Sequence, residues 1–216
     1  MTLVLTDHEV RLLGCLIEKE MATPDYYPLT LNGLINACNQ KSNRNPVVSF
    51  DEETVLYGLN GLKESKLVRQ SNISRAPKYE QLFSDNLNLV PREKAVICIL
   101  LLRGPQTSGE IRSRTERLYS FESLDEVQET LHDLEDAKLA MTLPRQPGRK
   151  EPRYTHLLSG EPDKPVVETV PGPQTSTVIV RKENNRAGEL QEQIDTLRQE
   201  LDNLTREFEI FKSQFE

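Results

Sequence analysis

Five residues recur in this chain at one fixed spacing. Val55, Leu59, Leu62, Lys66 and Leu67 return 72 positions later as Val127, Leu131, Leu134, Lys138 and Leu139. In each copy the apolar residues lie three or four apart, the spacing of one helix face, and the Lys-Leu pair opens a strand-like run. Each run then passes through a charged turn to a Pro-basic-Tyr triplet, Pro77-Lys78-Tyr79 and Pro152-Arg153-Tyr154. Helix, strand, loop and strand repeated at domain spacing ask for the same small domain twice, which constrains the fold more than any single motif.

The rest of each copy fills in the unit. Thr6 and Glu9 have the spacing of a capping box, opening a helix with Val10, Leu13, Leu16 and Ile17 inward to about Met21. Pro24 and Pro28 enforce an irregular crossing, and Thr30 is the expected N-cap of a second helix. Ser49 with Glu52 is read as the cap of a third helix, with Val55, Leu56, Leu59 and Leu62 inward. Two strands follow, 67–70 and 78–83. The second copy repeats the order. Pro91 opens its first helix and Gly104 lies beyond its end; Thr107/Glu110 and Ser123/Glu126 cap the next two; strands span 140–143 and 153–157. Three helices and a hairpin form a winged helix, a variant of the helix-turn-helix. The expected fold is therefore mainly α with small β-hairpins: one winged-helix domain over 1–85 and another over 86–158.

From 159 to 186 the chain is rich in Pro, Glu, Thr and Ser, the chemistry of a flexible linker, with Thr177–Val180 as a candidate edge strand. Over 187–216, Leu190, Ile194, Leu197, Leu201, Leu204, Phe208, Phe211 and Phe215 alternate spacings of four and three. That heptad pattern predicts a coiled-coil helix and a homodimer, with packing onto the chain's own domains as the alternative.

Charge and cysteine content narrow the function classes. Net charge is −7, and residues 159–216 hold 12 acidic against 7 basic groups. Neither repeat copy has the basic excess usual in nucleic-acid binders. Cys15, Cys38 and Cys98 are isolated in apolar helical patterns, so they predict buried thiols, not a disulfide framework or a metal site. No apolar run reaches the length of a membrane span, and the N-terminus lacks the features of a secretory signal, so a cytoplasmic location is expected. His8, His132 and His156 have no partners at metal-ligand spacing, and no nucleophile elbow or phosphate-binding glycine loop occurs. The expectation is a binding protein with no catalytic residues, cofactor or metal.

Candidate contacts to nucleic acid lie outside the third helices. Those helices begin Asp51-Glu52-Glu53 and Asp125-Glu126, which suits the helix dipole but repels phosphate. Basic groups gather at Lys41 and Arg44 in the loop before helix three, at Arg69, Arg75 and Lys78 around the first wing, at Arg112, Arg114 and Arg117, and at Arg145, Arg149, Lys150 and Arg153 around the second wing. A wing carrying arginines can follow a phosphate backbone or enter a minor groove.

The stretch Asn39-Gln40-Lys41-Ser42-Asn43-Arg44-Asn45-Pro46 is the most distinctive motif. Together with Leu5–Met21, Tyr26-Tyr27-Pro28-Leu29-Thr30, Val55-Leu56-Tyr57-Gly58-Leu59 and Arg103-Gly104-Pro105-Gln106-Thr107 it resembles the YceH-like family of uncharacterised bacterial proteins, over about residues 3–158. That resemblance implies a pair of winged-helix domains and no substrate, cofactor or catalytic residue. Two readings of function follow. One is a DNA-associated regulatory protein using Lys41, Arg44, Arg75, Lys78, Arg145, Arg149, Lys150 and Arg153 on phosphates. The alternative is a protein-interaction scaffold using acidic winged-helix surfaces. The expected dimer seam is Leu190, Ile194, Leu197, Leu201, Leu204, Phe208 and Phe211.

Overall fold

Local capping chemistry sets most of the element boundaries. In the computed structural model, which describes residues 4–71, 76–144 and 151–161, the fold is mainly helical with small antiparallel sheets. Helix α1 (Asp7–Ala22) opens at Thr6, whose hydroxyl accepts from the Glu9 amide while the Glu9 carboxylate accepts from the Thr6 amide. Strand β1 (Leu29–Thr30) leads into α2 (Leu31–Cys38), capped by Thr30. Helix α3 (Glu52–Glu64) follows, then β2 (Val68–Ser71), β3 (Lys78–Gln81) and a single turn, α4 (Phe83–Asn86). The second copy comprises α5 (Pro91–Arg103), α6 (Ser108–Thr115), α7 (Leu124–Asp136), β4 (Ala140–Leu143) and β5 (Arg153–His156). Residues 162–216, which include most of the expected linker and the whole expected coiled coil, lie outside the described residues.

Three local expectations are corrected. The cap of α3 is Asp51, which accepts from the Thr54 amide, rather than Ser49. Leu56 faces outward, because the buried stripe is Val55, Gly58, Leu59 and Leu62. The repeated Lys-Leu pair ends a helix and does not start a strand. Lys66 and Lys138 adopt left-handed backbone, φ 57° and 58°. The Leu67 amide bonds back to the Leu62 carbonyl and Leu139 to Leu134, both at 2.9 Å. This Schellman closure satisfies the last helical carbonyls and returns each leucine to the core.

β1 is only two residues long and has no signal of its own in the sequence. It pairs with β3, placing Leu29 opposite Tyr79 in a three-stranded sheet ordered β1-β3-β2. The second copy reduces the same pairing to one bridge: Gln106 and Tyr154 exchange both backbone bonds, at 3.0 and 2.7 Å. The tyrosine of each Pro-basic-Tyr triplet thus anchors the segment entering the second helix of its copy.

The described residues lie within one compact unit, and a single hydrophobic cluster draws on both copies. Helix α5 buries eight consecutive residues, Ala95–Leu102, and so has to be covered on every side. It packs against α1 of the first copy and against α6, α7 and β5 of its own. Gly14 permits the approach to α1: a Cβ there would lie 2.9 Å from Leu102 Cδ2 and 3.1 Å from Leu101 Cβ. The Leu5 amide also donates to the Leu158 carbonyl, at 2.6 Å, tying the start of copy one to the end of copy two. Among the described residues no helix is long and apolar enough to cross a membrane.

Candidate nucleic-acid interface

The Asn39–Pro46 motif is first of all a clasp. Asn39 closes a loop on itself: its side-chain amide donates to the Phe50 carbonyl at 2.8 Å and accepts from the Phe50 amide at 2.7 Å. Arg44 turns inward, with only 6% of its surface exposed. Its guanidinium grips the Glu18 carboxylate of α1 with two bonds, 3.0 and 2.6 Å. It also donates to the last-turn Ala37 carbonyl of α2, to the Asn43 carbonyl and to Gln40 Oε1. Burial opposes charge on both partners, and the two-pronged contact overrides it. The Glu18 carboxyl is held below the usual carboxylate range and the Arg44 guanidinium above its own. Arg44 therefore has no donor left for a phosphate, because its planar fork is filled from within the chain. This corrects its assignment as a phosphate contact.

The same loop reaches the second copy. The Asn45 backbone amide donates to the Leu102 carbonyl at 2.9 Å and its side-chain amide to the Arg103 carbonyl at 3.3 Å. These are carbonyls of the final α5 turn, which lack partners within a helix. Arg103 in return donates to the Asn43 side chain.

Beside the clasp lies a half-open cleft of about 1230 Å³. Its walls are the last turn of α1 (Glu18, Lys19), the loop Gln40–Asn43, the end of α5 (Ile99, Leu102, Arg103), and α6 with the turn after it (Ser113, Arg114, Glu116, Arg117). Five cations line it: Lys19, Lys41, Arg103, Arg114 and Arg117. Two carboxylates stand against them, and Glu18 is already held by Arg44. Lys19, Arg103 and Arg114 occupy last helical turns, where cations suit the dipole; Lys41 and Arg117 do not. Both are exposed and make no hydrogen bond or ion pair among the described residues. Burial first, then the like charges of Arg114 and Arg44, push the Arg103 guanidinium below its usual range.

The sequence singled out Lys41, Arg114 and Arg117 but not Lys19 or Arg103. Only the packing of α1 on α5 brings those two to one cleft, and no spacing in the sequence reports it. Of the wing residues, Lys78 is half-buried on β3, and Arg153 on β5 pairs with Glu110 at 3.1 Å. Arg69 pairs across the strands with Glu80 at 2.7 Å. Arg75, Arg145, Arg149 and Lys150 lie outside the described residues, as do Leu190, Ile194, Leu197, Leu201, Leu204, Phe208 and Phe211.

The third helices present different outer faces. On α3 the exposed stripe is Glu53, Leu56, Tyr57, Asn60 and Glu64. The same positions on α7 hold Asp125, Gln128, Glu129, His132 and Asp136. Neither stripe contains a lysine or arginine, and His132 sits 3.8 Å from Asp136. Among the described residues, no group of three His, Cys, Asp or Glu could hold a metal ion, and all three cysteines are buried and free.

Comparison with known proteins finds relatives of the chain as a whole. The family model described as "Protein of unknown function, DUF480" matches residues 5–149. A UPF0502 protein of Geobacter sulfurreducens is 48% identical over the full length of both chains, and one of Geotalea uraniireducens is 49% identical over the same extent. A UPF0502 protein of Koribacter versatilis is 54% identical over 73% of this chain and 75% of its own.

Proposed function

The chain belongs to the DUF480 family of proteins of unknown function, and we propose that it is a non-catalytic binding protein of two winged-helix units, residues 1–85 and 86–158, that associates with DNA through phosphate contacts. Support for the winged-helix assignment comes from element order. Helix, short strand or bridge, helix, helix and hairpin occur twice, with the segment before the second helix pairing to the hairpin in both copies. The likeness to the YceH-like proteins is the finer assignment we keep within the family.

The observation that carries the DNA reading is the cleft with its excess of cations. Acidic outer faces on α3 and α7 argue against insertion of either helix into a major groove. Phosphates of one strand seated along the cleft, with Lys41, Arg114 and Arg117 as contacts, satisfy the charge instead. Lys78 and Arg153, together with Arg75, Arg145, Arg149 and Lys150, extend the same kind of contact. A C-terminal homodimer would present two such clefts to one duplex.

Fluorescence anisotropy with a labelled duplex tests this. The three cleft contacts alone contribute about −2.7 to the slope of log K on log salt, a loss of at least roughly fortyfold between about 50 and 200 mM salt. The double variant K41A/R117A removes two of these contacts and makes the slope less steep by about 1.8. Absence of binding at low salt, or a slope unchanged in the double variant, overturns the reading.

A further inference from the structure

The outer face of α3 carries two large apolar residues that its fold does not need. Tyr57 is 72% exposed and Leu56 36%, and both border a shallow depression that Glu52, Glu53 and Asn60 complete. The repeat supplies an internal control. Inward residues of α3 and α7 match at the 72-residue offset, Val55 with Val127, Leu59 with Leu131 and Leu62 with Leu134, all essentially buried. At the same offset Leu56 and Tyr57 become Gln128 and Glu129, also exposed. The same helix with the same core thus forms with polar residues there, so the apolar pair in copy one serves something other than folding.

Charge decides what covers it. Glu52 and Glu53 flank the pair, Glu64 lies two turns further along the same exposed stripe, and none of the three forms an ion pair among the described residues. A duplex placed here meets three carboxylates. A second copy docked face to face sets these carboxylates against their own images, and the segment 159–216 carries an acidic excess of its own. We propose that the α3 face is a docking site for a basic amphipathic helix of a partner protein: apolar residues at i, i+3 and i+4 over Leu56 and Tyr57, lysines or arginines against Glu52, Glu53 and Glu64. Such a face matches the helix-in-groove mode, in which an aromatic anchor carries most of the affinity inside a charged rim. The proposal stands apart from the DNA reading, because the cleft and this helix face share no residue.

The test uses the full chain and a probe of defined chemistry: an 18-residue helical peptide of leucine and lysine with leucines on one face. Controls are the scrambled sequence and a leucine–glutamate version. Titration followed by amide chemical shifts should move residues 52–64, with the scrambled and acidic peptides at least about tenfold weaker. L56Q/Y57E, which installs the residues of the second copy, should weaken the peptide by about tenfold or more and leave the melting temperature and DNA anisotropy unchanged. Y57E alone, at the more exposed position, should give most of that loss. Equal binding to wild type and Y57E overturns the proposal. So do shifts centred outside α3, scrambled peptide binding as tightly, or self-association that disappears in L56Q/Y57E. Loss of DNA binding in K41A/R117A with peptide binding intact separates the two surfaces.

Discussion

Arg44 offers a direct contrast between a residue that holds the fold and one that meets a ligand. Replacing it with methionine keeps much of the stem and removes the guanidinium. Lost with it are the two bonds to Glu18 and those to the Ala37 and Asn43 carbonyls and to Gln40. The larger effect is on what remains, since Glu18 stays as a carboxylate with 13% of its side chain exposed and only Lys19, at 3.4 Å, to oppose it. Breaking a buried pair from one side costs about 3–5 kcal/mol. The partial relief from Lys19 places R44M near the lower end, about 3 kcal/mol. For a chain of this size that is a fall of roughly 6–12 °C in melting temperature. R44K is the sharper variant. It keeps the charge but cannot make the planar two-pronged contact, so it should recover less than half of the loss. E18Q retains one acceptor and should cost about 2 kcal/mol, and the double variant R44M/E18Q should cost at least about 1 kcal/mol less than the two single losses together. Urea unfolding followed by far-UV circular dichroism measures all four. Stability of R44M within about 0.5 kcal/mol of wild type, or additive losses in the double variant, would refute the clasp. A drop in DNA affinity with full stability in R44K would return Arg44 to the ligand.

Other outcomes follow from single positions. Burial lowers the His156 imidazole from its ordinary 6.5 to about 4. Between those values the unfolded ring binds a proton that the folded ring refuses, so stability falls as pH drops through that window, by a total approaching about 3 kcal/mol. H156Q should remove that part of the pH dependence, and an unaltered acid limb in urea titrations from pH 7 to pH 4 would contradict it. Gly14→Ala forces a methyl against Leu101 and Leu102 and should cost about 1–3 kcal/mol, read from the urea midpoint; a neutral result would mean that α1 and α5 separate freely. Lys66→Gly and Lys138→Gly relieve left-handed strain at the two Schellman closures, and each should raise the unfolding free energy in urea titrations by about 0.5–1 kcal/mol. A loss at either site would show that the lysine side chain, not its backbone, matters there.

Much of the skeleton was legible because capping and periodicity are local. Thr6, Thr30, Thr107 and Ser123 each cap the helix that their side chains announce, and Gly104 closes α5 at φ 69°. Where reading failed, two local signals competed or the answer lay in packing. Ser49 and Asp51 both have capping chemistry, and only the path of the preceding loop selects Asp51. Leu56 belongs by type to the core, but 3.6-residue geometry places it at the edge of the stripe formed by Val55, Leu59 and Leu62, where it is 36% exposed. β1 is two residues long and takes its identity from β3. For the candidate site, the loop and α6 cations were visible one by one. Their convergence with Lys19 and Arg103 depends on an interhelical contact that no periodicity encodes. Arg44 looked like its neighbour Lys41, since nothing in the local sequence reports that Glu18 waits 26 residues earlier.

The two copies differ most in the connection between their second and third helices. In the first it runs from Asn39 to Asp51, and in the second from Glu116 to Ser123. The added residues of the first are those that fold into the clasp and reach the carbonyls of α5. An insertion that only lengthened a surface loop would leave each copy with its own core. This one instead caps a helix of the other copy, beside a glycine contact that lets α1 and α5 share one core. Its cations consequently divide. Arg44 faces inward and fixes the joint, while Lys41, three residues earlier, is left on the outside at the mouth of the cleft that the joint creates. The basic cleft is therefore a property of the fused pair and not of either copy, and a single copy expressed alone would lose one wall of it. Ligand contact on α3 needs no such fusion, because Leu56, Tyr57 and the surrounding glutamates lie on one helix. Disrupting the clasp should then impair DNA binding well before it impairs peptide binding, and that order is open to direct measurement in R44M at temperatures below its melting transition.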